Sequence, residues 1–216
     1  MEIFVGARDS RLSRAQVKEV EEELRKQGQE VCFKAVWIDT PGDRDLKTSL
    51  THLEKTDFFT QDIDHKQLRG DIRIAIHSAK DLPDPLPKGL RLVALTKGVD
   101  NSDVLVLRKG ESLEGLPKGA RIGTSSLRRI EALKELRNDL LPVDIRGTID
   151  HRLIQLMTHR YDGVILAKAA LIRLDLMSLN MIPLKGEPAL HQGRLAVVAR
   201  EEDADMHLLF SLIHKD

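Results

Sequence analysis

The stretch IRIAIHSAKDLPDPLP, residues 72–87, reads as a buried strand that runs straight into His77, Ser78, Lys80 and Asp81 before a proline-studded turn carries the chain away. At the carboxyl end of a strand in an open α/β sheet, polar groups can face a crevice, and such crevices are where ligands bind. An ordinary Ser/Asp-rich turn would give the same pattern. The neighbours of this strand decide what it belongs to.

Upstream, EIFVGA is a short apolar strand. The helix SRLSRAQVKEVEEELRKQG follows; Ser10 or Ser13 can cap it, Gly28 can stop it, and Leu12, Ala15, Val20 and Leu24 share one face. VCFKAVWI is a second strand closed by the turn DTPGD, FTQDIDHKQLRG is helix-like, and LRLVAL and DVLVLR are further strands with TKGVDNS between them as a hinge. A second cycle starts near Ser102, with ARIGTS, LPVDIRG and YDGVILA as strands and SSLRRIEALKELRN and TIDHRLIQLMTHR as the helices between them. Strands alternating with helices imply parallel pairing. The closing GRLAVVAR strand and DADMHLLFSLIHKD helix are too short to form a domain, so the chain is expected to cross back onto the first one. The fold class is therefore α/β, with one domain of residues 1–97 and 194–216, a second of residues 101–191, and hinges near 97–101 and 191–195.

At 216 residues the chain can bury a substantial core. Lys plus Arg equals Asp plus Glu at 34 each, so no global field favours nucleic acid or a membrane surface. Aromatic residues make up 3%, which argues against single-strand binding by base stacking. Cys32 is the only cysteine; in its apolar run it reads as a small core hydrophobe, and no Cys/His spacing suits a metal. The N-terminus lacks the features of a signal peptide and no apolar run approaches a membrane span, so a soluble, cytoplasmic protein is expected; a monomer is the separate expectation for its assembly.

Three strand ends share a theme. In GTSSLRR, residues 123–129, Gly123 permits close backbone approach, and Thr124, Ser125 and Ser126 offer hydroxyls and amides at a helix N-terminus, an anion site by geometry and dipole. Arg128 and Arg129 fall in the first turn, where the dipole disfavours cations unless an anion is present to pair with them. In DIRGTIDHR, residues 144–152, Arg146 ends a strand, Gly147 turns, Thr148 can cap and Arg152 lies in the next helix. Arg8, Arg11 and Arg14 stand around Ser10 and Ser13 after the first strand. Arginine grips carboxylates or phosphates bidentately, so a neutral chain with arginines gathered at strand ends suggests a locally positive cleft for a small polyanion. Plain N-caps followed by solvated arginines are the alternative. Asp81 would be the lone carboxylate among them, suited to steadying a cation or holding an N–H donor. No nucleophilic triad, P-loop or dinucleotide fingerprint is present.

ARDSRLSRAQ, TPGD, IAIHSAKDLP, IGTSSLRR, DIRGTIDHRL, YDGVILAKAAL and ALHQGRLAVVAR stand in the order and spacing of the porphobilinogen deaminase (hydroxymethylbilane synthase) family, and the resemblance covers essentially the whole chain. It implies two periplasmic-binding-protein-like domains, each with a mixed, mostly parallel sheet, and a cleft between them. It also implies a transferase that joins porphobilinogen units head to tail, releasing ammonia each time, into the linear tetrapyrrole hydroxymethylbilane. Position by position, Asp81 matches the catalytic carboxylate, which holds pyrrole N–H groups and steadies the azafulvene cation left when ammonia departs. Lys80 would face the anionic pyrrole chain. Arg8, Arg128, Arg129, Arg146, Arg152 and Arg173 match binding arginines, and Ser10 and Ser126 match hydroxyl contacts. The partners implied are porphobilinogen and linear pyrrole chains, and the cofactor implied is dipyrromethane.

Three departures stand out. LEKTDFFTQD carries Thr56 and Asp57 where the family's mobile loop has lysine and glycine, and Thr148 replaces a usual asparagine. The chain stops at LIHKD, where the resemblance implies a third, α+β domain whose cysteine anchors dipyrromethane through a thioether. Cys32 lies elsewhere, so covalent attachment is not expected. A non-catalytic binding protein for pyrroles or other polycarboxylates is the alternative, and a general solute-binding module a third; turnover of porphobilinogen separates the enzyme from both.

Overall fold

The structure, a computed structural model, describes residues 1–45, 48 and 57–215. Its elements run β1 (Glu2–Arg8), α1 (Arg11–Lys26), β2 (Cys32–Ile38), α2 (Pro41–Arg44), α3 (Gln61–Leu68), β3 (Ile74–Ser78), β4 (Leu90–Leu95), β5 (Asp103–Leu107), β6 (Arg121–Gly123), α4 (Leu127–Leu136), β7 (Leu141–Val143), α5 (Ile149–Met157), β8 (Gly163–Ala167), α6 (Lys168–Arg173), β9 (Asn180–Leu184), β10 (Leu195–Arg200) and α7 (Ala204–Ser211). The described residues fall into two compact units, one of residues 1–45, 57–99 and 193–215, the other of Thr48 with residues 100–192.

The first unit holds a five-stranded sheet in the order β2-β1-β3-β10-β4. β1 pairs in parallel with β2 and β3, while β10 is antiparallel to both β3 and β4, so four strands share one direction and β10 alone is reversed. One face buries Ile3, Val5, Ile74, Ile76 and Val197 against Val17, Val20 and Leu24 of α1 and Met206 and Phe210 of α7. The other packs Ala75 and Val198 against Ile63 of α3. Strands covered on both faces read as continuous apolar runs rather than alternating ones, as IRIAI and LAVVA do.

The second unit repeats the plan with the order β7-β6-β8-β5-β9: β6 is parallel to β7 and β8, and β5 is antiparallel to β8 and β9. Leu105, Ile122 and Ile165 pack with Ala132 and Leu133 of α4 on one face, and Val104, Val164 and Leu166 pack with Leu156 of α5 and Leu171 of α6 on the other.

Several local expectations are narrowed or corrected. Ser10, not Ser13, caps α1, accepting from the Ser13 amide at 3.0 Å. The buried stripe of α1 is Ser13, Gln16, Val17, Val20 and Leu24, leaving Leu12 and Ala15 only half-buried. Polar Ser13 and Gln16 can be buried because both are hydrogen-bonded, to Ser10 Oγ at 2.9 Å and Ser78 Oγ at 2.9 Å. The turn DTPGD contains a helical turn, α2, closed by a capping box between Thr40 and Asp43. Cys32 is exposed rather than buried. It opens the edge strand β2, and alternation sends Phe33 to the core, with its ring 6.5 Å from that of Phe210, while Cys32 faces solvent. β7 ends at Val143, so Arg146 lies beyond the strand rather than at its end. Strand–helix alternation carries no signal for α6 or β9; β9 contains Pro183, which is tolerated because β9 is an edge strand.

Phe210 is wholly buried and ties α7 to the first sheet. Phe210→Ala is expected to cost about 3–5 kcal/mol, the range for truncating a buried aromatic. The midpoint of urea denaturation measures the change, and a loss well below that range would mean that α7 is not docked as described.

Candidate functional site

In the first unit the shared direction of β1, β2, β3 and β4 brings their carboxyl ends to one edge of the sheet. There Arg8 ends β1 at half burial. Its guanidinium is held by Asp43 of α2, with Nε donating to Oδ2 at 3.1 Å and Nη2 donating to Oδ1, and it lies over the Phe59 ring at 4.4 Å. Phe59 in turn lies against Gly42, where any Cβ would overlap its ring. Burial pushes the Asp43 carboxyl up, but hydrogen bonds and charge from Arg8, with hydrogen bonds from Thr40, outweigh it and hold the group below the usual carboxylate range.

Beyond β3 the chain makes a 3-10 turn, Ala79–Asp81. The turn is pinned from two sides. Ser78 accepts from Gln16 Nε2 at 2.9 Å, and the Ala79 amide donates to the Arg194 carbonyl at 3.0 Å. Lys80 is half-buried and Asp81 exposed; Asp81 has no hydrogen bond or ion pair among the described residues. His77 does not join this polar display. It is buried in the sheet opposite Ala196, and its Nε2 has no partner among the described residues. Burial, with the charge of Arg8, lowers its pKa from 6.5 to about 4, so the ring stays neutral.

In the second unit β6, β7, β8 and β9 also end at one edge. Thr124 is buried, and its amide donates to the Val143 carbonyl at 2.9 Å. Ser125 is used within the fold, its Oγ donating to the Ile145 carbonyl at 2.7 Å and accepting from the Ile145 amide at 3.1 Å. Ser126 sits at the N-cap of α4 without a side-chain capping bond. The anion that the first-turn arginines call for is part of the chain. Asp103, the first residue of β5, accepts from Arg128 at 2.5 Å and from Arg129 at 2.6 Å. Burial raises the Asp103 carboxyl, and the charge and hydrogen bonds of Arg129, followed by those of Arg128, more than reverse the shift, leaving it lowered.

The remaining candidates lie around the end of β7 and along α6. Arg146 is buried and donates to the Thr48 carbonyl. Gly147 takes a φ of 97°, a conformation that favours glycine, and its carbonyl accepts from Arg152 Nε at 2.9 Å. Thr148 caps α5. Arg173 ends α6, about 9 Å along the helix from the end of β8. Asp57 opens a 3-10 turn, while Thr56 lies outside the described residues. Asp103, Asp43 and Gln192 are the polar residues sequence reasoning missed; the only signals were an aspartate before the apolar run VLVL and the last letter of TPGD. Among the described residues there is no metal-ligand cluster, and no helix is long and apolar enough to cross a membrane.

The chain matches, over residues 3–208, the family described as "Porphobilinogen deaminase, dipyromethane cofactor binding domain". It is 41% identical to the porphobilinogen deaminase of Exiguobacterium sibiricum, over 98% of this chain and 70% of that protein. It is 40% identical to that of Geobacillus kaustophilus, over 99% of this chain and 71% of that protein. Among solved structures, the methionine-binding protein MetQ superposes with a TM-score of 0.61 at 14% identity, over 100% of this chain and 91% of that one, a likeness of fold.

The residues present fit the cofactor of that family in one respect and not in another. Guanidinium and hydroxyl groups at the strand edge of the second unit suit a carboxylate-bearing pyrrole chain. Cys32 does not suit its covalent anchor: it pairs with Glu2 at the opposite end of β1 from Arg8, about 20 Å along the strand. The purified chain is therefore expected to show the mass of its sequence, 24.3 kDa. Two linked pyrroles mapped to Cys32 would contradict this placement.

His77 also has a measurable consequence. Its folded pKa lies below 6.5, so between about 4 and 6.5 the unfolded chain binds the extra proton. Stability should fall as pH drops through that window, by about 3 kcal/mol at the limit. Denaturation at stepped pH should show a shallower acid arm for His77→Leu than for the parent; identical slopes would mean that the ring is not held neutral.

Proposed function

The chain belongs to the porphobilinogen deaminase family, and we propose that Asp81 is its catalytic carboxylate and that the strand-end arginines hold substrate carboxylates. The enzyme is a tetrapyrrole-synthesising transferase acting on porphobilinogen. Each joining breaks a carbon–nitrogen bond, releases ammonia and forms a carbon–carbon bond to the next pyrrole, which gives up a proton. Between those events positive charge develops on the pyrrole that has lost its amine. A fixed carboxylate facing that charge stabilises the transition state more than the ground state, because the charge is absent before the amine leaves.

The observation that carries the assignment is the turn that bears Asp81. Its backbone is fastened to Arg194, just ahead of β10, and its preceding serine to α1, while the carboxylate itself has no partner among the described residues. A group held in place and not consumed by the fold is preorganised for a ligand. Lys80, beside it in the same turn, would draw the anionic side chains of the pyrrole. In the second unit Arg128 and Arg152 are only half-buried and suit the acetate and propionate groups of the substrate. When bound, dipyrromethane would supply the pyrrole end on which the chain grows; the part of this chain's residues is to bind its carboxylates and orient the incoming unit.

Asp81→Asn should fold and bind porphobilinogen as the parent does while losing on the order of a hundredfold or more in turnover. Ammonia release and uroporphyrin formation after cyclisation report the rate. Near-parental turnover in Asp81→Asn would remove the residue from the chemistry, and binding without any ammonia release by the parent would favour the non-catalytic alternative.

A further inference from the structure

Asp103 has no place in the reading above, yet Arg128 and Arg129 are arranged around it. β5 is the reversed strand of its sheet, so its first residue stands at the edge where β6, β8 and β9 finish. The Asp103 side chain is 3% exposed. Its Oδ1 accepts from Arg129 Nη2 at 2.6 Å and from Gln192 Nε2 at 3.1 Å, and its Oδ2 accepts from Arg128 Nη2 at 2.5 Å. Arg128 is fixed at a second point, Nη1 donating to the Glu187 carbonyl at 2.7 Å, and its side chain stays 27% exposed. Arg129 is 9% exposed, and its Nε has no partner among the described residues.

The charge arithmetic is specific. Two guanidinium groups share one carboxylate in the first turn of α4, where the helix dipole adds positive potential. The cluster therefore carries one net positive charge instead of two. A single net charge with a fixed donor fork matches one carboxylate. Two unopposed guanidinium groups at a helix N-terminus would match a multiply charged phosphate instead.

We propose that Asp103 is a positioning and specificity-determining residue: it fixes the fork of Arg128 and Arg129 and trims their charge, so that this edge takes a pyrrole carboxylate and rejects polyphosphate anions. The proposal rests on the reading that these arginines bind substrate carboxylates. Stronger binding of pyrophosphate by the parent than of the pyrrole would contradict it.

The test is calorimetric titration of the purified full chain with two probes. One is inorganic pyrophosphate; the other is the porphobilinogen analogue with methyl in place of aminomethyl, which has no amine to release. In Asp103→Asn the ratio of pyrrole to pyrophosphate affinity should fall by roughly tenfold or more, from loss of the bidentate fork and gain of charge together. A purely structural Asp103 would lower both affinities through the folded fraction and leave the ratio unchanged, which would overturn the proposal. Should Asp103→Asn fail to fold, Asp103→Glu keeps the charge but displaces the carboxylate. It should reject pyrophosphate as the parent does yet bind the pyrrole several-fold more weakly, by loss of fork geometry; parental pyrrole affinity in that variant would also overturn the proposal. Arg128→Gln separates the two readings. If it leaves pyrrole affinity intact, the arginine reading fails; if it weakens binding while Asp103→Asn keeps the parental ratio, only the role of Asp103 fails.

Discussion

In each sheet one strand runs against the other four, and the arrangement of functional groups depends on that reversal. Four co-directional strands deliver four carboxyl ends to one edge, and the reversed strand delivers its beginning to the same edge. In the first unit the chain entering β10 passes through Arg194, whose carbonyl fastens the Asp81 turn and whose Nε donates to the Thr96 carbonyl at 2.7 Å. In the second unit the residue entering β5 is Asp103, which gathers the arginines of α4. At the start of each reversed strand, then, stands a residue that fixes a neighbouring segment. Arg194, just ahead of β10, fixes the turn after β3, and Asp103, the first residue of β5, fixes the first turn of α4. Backbone direction, more than any single side chain, brings these groups together.

Holding arginines with aspartates carries an electrostatic cost that shapes where they occur. Burying an ion pair gains little net stability, since desolvation offsets most of the attraction. Removing one partner is another matter, because the survivor is left charged and dry. Arg129 and Asp103 are in that position, and so in part are Arg8 and Asp43. These pairs are better understood as fixing geometry than as strengthening the fold. The first-unit core, continuous from Ile3 to Phe210, supplies the cohesion around Arg8 and Asp43, and the second unit's own core supplies it around Arg129 and Asp103.

Much of this was legible in the sequence because period and punctuation are local properties. IRIAI, LAVVAR and GVILA are apolar runs of strand length, and SRLSRAQVKEVEEELRKQG carries a helix period between a serine and a glycine. The motif residues at strand ends were equally visible, since arginine beside Ser, Thr and Gly at a strand-to-helix turn has a physical meaning of its own. What escaped depended on distant partners. Ser13 and Gln16 look like exposed positions until Ser10 and Ser78 are known to meet them. Cys32 looks like core until β2 proves to be an edge strand. Asp103 and Arg129 are 26 residues apart, and nothing short-range announces their pairing.

The position of β10 also bears on how the chain acquires its structure during synthesis. Strands β5 to β9, with the helices between them, occupy one continuous stretch from Asp103 to Leu184. The first sheet, by contrast, has a gap between β3 and β4 that only residues 195–200 can fill. On a ribosome working from the N-terminus, the second unit can close while the first still exposes two unpaired strand edges. Long-range closure of this kind is slow, and open apolar edges invite pairing with other chains. The interval between emergence of Leu95 and emergence of Arg200 is therefore when the nascent chain has most need of a chaperone.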